Sequence, residues 1–265
     1  MTAEDYVCCA PVSDLREAPA ADSALQSQLL FGETVEVLGQ TGDWVQVRSR
    51  RDAYEGHVPR KSLSGSTGTA THRVSARLAL VYSEPDFTCP VTLTLSLGSD
   101  LRITETRQST RPRSPAIEMG RLQDGRGWIP MQHVSPVDAL ASSPSDMARR
   151  FLGTPYLYGG RSALGIDCSA LVQLSWFMAG RSLPRDTRDQ ITSDQLETLP
   201  PCSLADIPKE ALILIPGHVL ISTGGGQAIH ADGISFSVVD ETIEAALSKR
   251  GVAAETLTIR MPRQT

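Results

Sequence analysis

The first half of this chain repeats itself and the second half does not. Pro19, Gly32, Val35 and Val37 recur 66 positions later as Pro85, Gly98, Leu101 and Ile103. Gly56-His57-Val58-Pro59 recurs at an offset of 71 as Gly127-Trp128-Ile129-Pro130. An insertion of five residues reconciles the two offsets, and the Arg-rich stretch Arg107 to Pro115 is the place for it. Each copy reads as short alternating strands, such as Thr34-Val35-Glu36-Val37-Leu38 and Trp44-Val45-Gln46-Val47, punctuated by Gly, Pro and Asp. The expectation is two consecutive small β-barrels, at residues 1–66 and 73–138, joined by the Ser-, Thr- and Gly-rich segment Gly65 to Thr71.

A different pattern begins at Ser142-Ser143-Pro144-Ser145, which reads as a helix entry into a third domain, residues 142–265. Asp167 precedes a helical stretch from Cys168 to Ala179, with Leu171, Leu174 and Met178 on one face and Gly180 as the stop. Leu212 to Ile221 reads as a strand, and Gly224-Gly225-Gly226 turns it back through Gln227 to Ala231. Glu241 to Arg250 reads as a helix closed by Gly251, and Leu257 and Ile259 mark a last strand. A helix followed by an antiparallel sheet is an α+β arrangement.

Charge narrows the partners. The chain carries 25 basic and 30 acidic residues, a net charge of −5, so it has no whole-molecule attraction to nucleic acid or anionic lipid. No apolar run approaches the ~18–20 residues that span a bilayer. Neither a nucleic-acid nor a membrane partner is expected, and a monomer is. Glu4 and Asp5 stand where a signal peptide carries basic residues, and no hydrophobic segment precedes Cys8-Cys9, so a cytoplasmic location is expected. The five cysteines (8, 9, 89, 168 and 202) are scattered and resemble neither a disulfide framework nor a zinc site.

Among those cysteines only Cys168 falls at the start of a helix, where unpaired N–H groups and the positive end of the dipole favour a thiolate. A small buried residue opening a core helix has the same signature. His57, His72 and His133 belong to the repeat half, which leaves His218 and His230, twelve residues apart and of equal parity. A hairpin turning about Gly224 sets both imidazoles on one face, nearly opposite each other. One can then take the thiol proton while the other orients it. The same trio could also suggest Zn²⁺, but no fourth ligand or metal motif accompanies it.

These residues carry a resemblance. Pro155-Tyr156-Leu157-Tyr158-Gly159-Gly160 and Gly165-Ile166-Asp167-Cys168-Ser169-Ala170-Leu171-Val172 resemble the catalytic signature of the NlpC-type cell-wall cysteine peptidases. Gly217-His218-Val219 and Ile229-His230-Ala231 resemble that family's histidine motifs, and Leu183-Pro184-Arg185-Asp186-Thr187 with Gln190 a block between them. The family often has Gly-Asp where this chain has Glu210-Ala211. Leu15-Arg16-Glu17-Ala18-Pro19, Phe31-Gly32-Glu33 and Trp44-Val45-Gln46-Val47 resemble bacterial SH3-like domains. The resemblance implies a papain-like NlpC-type catalytic domain preceded by two small SH3-like barrels.

It further implies Cys168 as nucleophile, His218 as general base and acid, His230 as its orienting partner, and Tyr156 as an oxyanion donor with the Cys168 N–H. The combination is similar to γ-D-glutamyl-L-diamino-acid endopeptidases, which implies a murein peptide, L-Ala-γ-D-Glu-diamino acid, as substrate and a role in recycling. Asp167, Ser169, Asp186 and Thr187 of the catalytic domain, with Glu17 and Tyr54 of the first SH3-like domain, are the implied substrate contacts; Asp167 is also the expected helix cap. No metal or organic cofactor is required. A thiol amidase or acyltransferase acting on another amide, and an inert wall-peptide binding protein, are the rival readings.

Overall fold

The computed structural model describes residues 5–65, 68–109 and 115–263. The chain divides into two compact units, Met1–Ala139 and Leu140–Thr265. The boundary between them falls beside the expected start of the third domain, whereas the two repeats cluster as one unit.

In the first unit, β1 (Asp5–Cys8), β2 (Val12–Arg16), β3 (Leu25–Leu30), β4 (Thr34–Thr41), β5 (Trp44–Ser49), β6 (Glu55–Pro59) and β7 (Leu63–Gly65) form one sheet in the order β3-β2-β6-β5-β4-β1-β7. The order is open, with β3 and β7 at its ends, rather than the closed barrel the sequence suggests. Alternation makes the sheet: Val45, Val47 and Ser49 of β5 are buried while their neighbours are half-exposed. Gly42, at φ 57, supplies the left-handed residue of the two-residue turn that pairs Thr41 with Trp44. Leu15, Leu29, Val35, Val45, Val47, Val58 and Leu63 form its core.

The second copy folds as a five-stranded and a three-stranded sheet. Its core of Val74, Ala79, Val81, Leu95, Leu101, Leu122, Ile129 and Val134 also takes in Phe31 from the first copy. That shared side chain is a physical reason for one unit instead of two. The repeat is visible in the backbone, since Gly32 and Gly98 both turn with left-handed φ, 78 and 88. The expected insertion lies partly outside the described residues, as do Ser66 and Thr67 of the linker.

The second unit contains α1 (Pro144–Arg149), α2 (Cys168–Met178), α3 (Thr187–Thr192) and α4 (Ile243–Ser248). Its six-stranded antiparallel sheet runs Leu196–Thr198, Thr258–Pro262, Leu212–Ile215, His218–Gly224, Gln227–Asp232, Ser237–Thr242. Leu212 to Ile221 is therefore two strands, because Gly217, at φ 71, turns the chain and pairs Ile215 with His218. The stretch from Glu241 is corrected as well: Glu241 and Thr242 finish a strand, and the helix starts only at Ile243 with Thr242 as its cap. Nearly every side chain of α2 is buried. Among the described residues no helix is long and apolar enough to cross a membrane.

Glu210 stands at the glycine position of the family pattern, and its φ of 72 is the reason glycine suits that turn. Its carboxylate compensates by accepting from Ser143 Oγ (2.6 Å), Ser145 Oγ (2.9 Å) and the Ser145 N–H (2.7 Å) at the start of α1. A negative charge at a helix N-terminus is favourable.

Candidate active site

Cys168 is the first residue of α2, and Asp167 caps that helix by accepting the Ala170 N–H at 2.8 Å. A cap with β-region backbone is what halts the preceding strand and starts the helix at the cysteine. The loop before it packs closely. Gly159, at φ 77, donates its N–H to Asp167 Oδ2 at 2.9 Å, and a Cβ on Gly160 would stand 2.5 Å from the Gly165 carbonyl oxygen.

The buried Asp167 is held by a bidentate ion pair. Arg185 Nη1 donates to Oδ1 at 3.0 Å and Nη2 to Oδ2 at 2.7 Å. Ser169 Oγ donates to Oδ1 at 3.2 Å and accepts from Arg185 Nη1 at 3.0 Å. Both carboxylate oxygens are thus engaged inside the protein. Asp167 is the expected helix cap, and the Ser169 hydroxyl belongs to the same network. The network fixes the nucleophile's helix.

Cys168 Sγ lies 3.9 Å from Thr187 Oγ1, at the start of α3. Burial and the Asp167 charge push its thiol pKa up, against backbone N–H groups of Val219 and Ser169 and the Thr187 hydroxyl, which pull it down. The Val219 contact brings the sulfur to the residue beside His218. The hairpin that holds His218 has a bulge between Ser222 and Gly224, after which Ile221 faces Ile229. Continued, that register sets Leu220 opposite His230, so the two histidines are diagonal neighbours on one face. Without the bulge the Gly224–Gln227 register would set Ile221 opposite His230 and the two histidines on opposite faces, so the bulge is what brings them to one face.

His218 Nε2 and His230 Nδ1 are 2.9 Å apart, with the rings edge to face. His230 Nε2 in turn lies 3.1 Å from Glu241 Oε1, and Lys249 Nζ donates to Glu241 Oε2 at 2.7 Å. Burial lowers the His218 pKa to about 3, helped by the Arg250 charge and by His230 and opposed by Asp232. Burial lowers that of His230 too, against Glu241 and Asp232. With the thiol pushed up and the imidazole pushed down, both groups are neutral at pH 7 before substrate arrives.

Tyr156 packs its ring over Gly233, where a Cβ would meet it at 3.4 Å. Burial, with smaller contributions from Cys168, Asp167 and Tyr158, pushes its phenol up to about 12. A tyrosine beside the nucleophile that holds its proton is a hydrogen-bond donor at working pH.

Asp186 occupies the N-cap position of α3 without a side-chain capping bond, and its carboxylate lies 3.8 Å from Arg188. Glu17 and Tyr54 belong to the first unit. The Glu17 carbonyl faces His57 Nδ1 at 3.1 Å, and Tyr54 packs against that unit's first core. Among the described residues no cluster of three or more His, Cys, Asp or Glu has the geometry to hold a metal.

Residues 153–254 match the NlpC/P60 family, and residues 15–63 match the bacterial dipeptidyl-peptidase Sh3 domain. The probable endopeptidase NlpC of Escherichia coli K12 is 30% identical over 127 residues, 45% of this chain and 71% of that protein. This chain belongs to the NlpC/P60 family. It is a cysteine peptidase of that family with an N-terminal SH3 domain. The γ-D-glutamyl-L-lysine dipeptidyl-peptidase of Bacillus subtilis strain 168 is 26% identical over 257 residues, 91% of this chain and 83% of that protein. An NlpC/P60 family protein from Bacillus cereus ATCC 10987 has the same fold, with a TM-score of 0.77 at 20% identity, over 97% of this chain and 99% of that one.

Two parts of this NlpC/P60 site went unread in the sequence. Arg185 lies in the family-like block, but eighteen residues separate it from Asp167 and no local signal joins them. Glu241 had none, because it was placed in a helix.

Proposed function

We propose that this cysteine peptidase hydrolyses the bond between the γ-carboxyl of D-glutamate and the α-amine of a diamino acid in murein peptides that begin with a free L-alanine. The observation that carries the chemistry is the array of Cys168 at the start of α2 with His218 and His230 hydrogen-bonded at 2.9 Å. The substrate class is supported by the γ-D-glutamyl-L-lysine dipeptidyl-peptidase that aligns with 91% of the chain.

In this reading the neutral thiol of Cys168 attacks the γ-carbonyl as His218 takes its proton. The carbonyl π electrons move to oxygen, and the Tyr156 hydroxyl and the Cys168 N–H stabilise the oxyanion. Collapse expels the diamino acid's nitrogen, to which His218 returns the proton, leaving a γ-glutamyl thioester. Water, deprotonated by His218, then releases L-Ala-γ-D-Glu and restores the thiol.

Thr187 borders the nucleophile, and it is a proposed contact of the second unit with the peptide together with Asp186, Asp167 and Ser169. The resemblance adds Glu17 and Tyr54 for the free amine, and treats the second copy of the repeat as an SH3-like spacer. The proposed setting is the cytoplasm, where peptides already released from the wall present a free alanine amine.

A peptide panel tests the substrate: L-Ala-γ-D-Glu-L-Lys, its meso-diaminopimelate counterpart, the N-acetylated forms and the α-linked isomers, followed by mass spectrometry. The expected result is release of L-Ala-γ-D-Glu from free-amine, γ-linked peptides alone. Equal cleavage of acetylated peptides removes the recycling role, and cleavage of α-linked isomers removes the γ-glutamyl assignment. Glu17→Gln, Tyr54→Phe and Asp186→Asn in the same panel are expected to raise KM for the free-amine peptide.

A further inference from the structure

The imidazole pair has an outer partner. His230 Nε2 lies 3.1 Å from Glu241 Oε1, and the opposite oxygen of Glu241 accepts from Lys249 Nζ at 2.7 Å. The His230 side chain is fully buried and that of Glu241 only 16% exposed, so this charge acts with little screening by water. A carboxylate only accepts, so the proton between Glu241 and His230 sits on His230 Nε2. A neutral His230 then has a bare Nδ1, which can only accept from His218 Nε2–H. That leaves the lone pair of His218 on Nδ1, the one nitrogen not engaged with His230. We propose that Glu241 is a positioning residue of this peptidase: anchored by Lys249, it fixes the tautomers of His230 and His218 so that His218 presents Nδ1 as the base.

The inference rests on the reading of His218 as the base for Cys168. It adds a fourth member, and a fifth in Lys249, to the line of groups behind the nucleophile. When His218 gains the thiol proton, the positive charge can spread toward His230 and face the Glu241 carboxylate.

The charged neighbours of the pair are few. On the strand of His230, Asp232 is fully buried and bound to Arg250 and Lys249 at the end of α4. Arg250 and Asp232 act on both histidines with opposite signs. Asp240, beside Glu241, is engaged by Arg149 of α1 at 3.2 Å, and Arg149 also pairs with Asp146. The segment Cys168–Met178 of α2 carries no charged side chain. Glu241 is the one carboxylate hydrogen-bonded to either imidazole among the described contacts.

The test combines two readouts on the full chain. Long-range ¹H–¹⁵N NMR of Cys168→Ala reads the imidazole nitrogens without substrate, and is expected to show protons on Nε2 of both histidines. Adding Glu241→Gln is expected to release that preference, since an amide can donate or accept, while Glu241→Asp is expected to restore it in part. In turnover of L-Ala-γ-D-Glu-L-Lys, Glu241→Gln on the active enzyme is expected to lower kcat by about ten- to hundredfold, the effect of losing one hydrogen bond to a charged group.

The pH profile separates positioning from packing. Glu241 raises the proton affinity of His230, so its neutralisation moves the acid limb of kcat/KM to lower pH. Lys249→Met unmasks the same carboxylate and moves the limb the other way. Unchanged tautomers and an unchanged acid limb in Glu241→Gln overturn the proposal, even where activity falls. A wild type that cleaves no γ-glutamyl peptide refutes the substrate reading, and the NMR arm still decides the relay.

Discussion

Each unit buries an arginine against a carboxylate, and the two arrangements serve different ends. In the first unit Arg51 pairs with Glu33, which is 1% exposed, and with Asp100 at 3.2 Å, while Arg73 holds the other Asp100 oxygen at 2.7 Å. Glu33 and Arg51 come from the first repeat and Arg73 and Asp100 from the second, so the cluster ties the two copies together. Asp100 also donates its N–H to the Phe31 carbonyl, and a Cβ on Gly32 would overlap the Asp100 carbonyl at 2.0 Å. Nothing reactive touches that cluster among the described contacts. In the second unit Arg185 grips Asp167, one residue before the nucleophile, and so fixes where α2 begins. The same buried pairing holds sheets together in one place and aims a thiol in the other. What decides is the residue next along the chain.

Substitutions can break that comparison. Arg185→Ala leaves Asp167 charged and buried, and breaking such a pair costs about 3–5 kcal/mol. Chemical denaturation is expected to show that loss, together with a fall in kcat of the folded fraction, because the start of α2 is no longer pinned. Arg51→Ala removes the ion pair with the buried Glu33, and about 3 kcal/mol is expected for the first unit. Its kcat per folded molecule is expected to stay at the wild-type value. A drop in that kcat matching Arg185→Ala would erase the distinction between the two clusters.

A smaller effect is expected at α1. Ser143→Ala removes a side-chain cap and one partner of Glu210, at a cost of about 1 kcal/mol by denaturation and with kcat intact. A pH dependence accompanies these effects. His218 is held near 3 in the folded chain against an ordinary 6.5, so below 6.5 the unfolded chain binds a proton that the folded chain refuses. Stability of the second unit is expected to decline as pH falls from about 6.5 toward about 3, and less so in His218→Gln. Denaturation midpoints of both proteins at pH 7 and pH 5 measure it; equal slopes would mean that His218 is not buried neutral.

Much of the site was legible because its signals are local. An acidic cap followed by an apolar face announced the helix that starts at Cys168, and two histidines of equal parity around three glycines announced the hairpin. What stayed hidden depends on tertiary pairing. Asp167 announced its cap, but its clamp by Arg185, eighteen residues away, is made only by the fold. Glu241 read as helical because Glu-Thr-Ile-Glu-Ala-Ala-Leu has good helix formers, yet its pairing with Ala228 keeps it in the sheet and within reach of His230. Tertiary context overrode propensity there. The strand expected from Leu212 to Ile221 was too long because the apolar residues on either side outweighed the turn dipeptide Pro216-Gly217, where Gly217 takes φ 71.

The measurement closest to the central claim is product formation from L-Ala-γ-D-Glu-L-Lys and from its meso-diaminopimelate counterpart, by wild type and by Cys168→Ala. Wild type is expected to release L-Ala-γ-D-Glu from at least one of them, and Cys168→Ala to be slower by about 10⁴-fold or more, as for loss of a nucleophile. Cys168→Ala cleaving at the wild-type rate, or wild type leaving both peptides intact, would contradict the account.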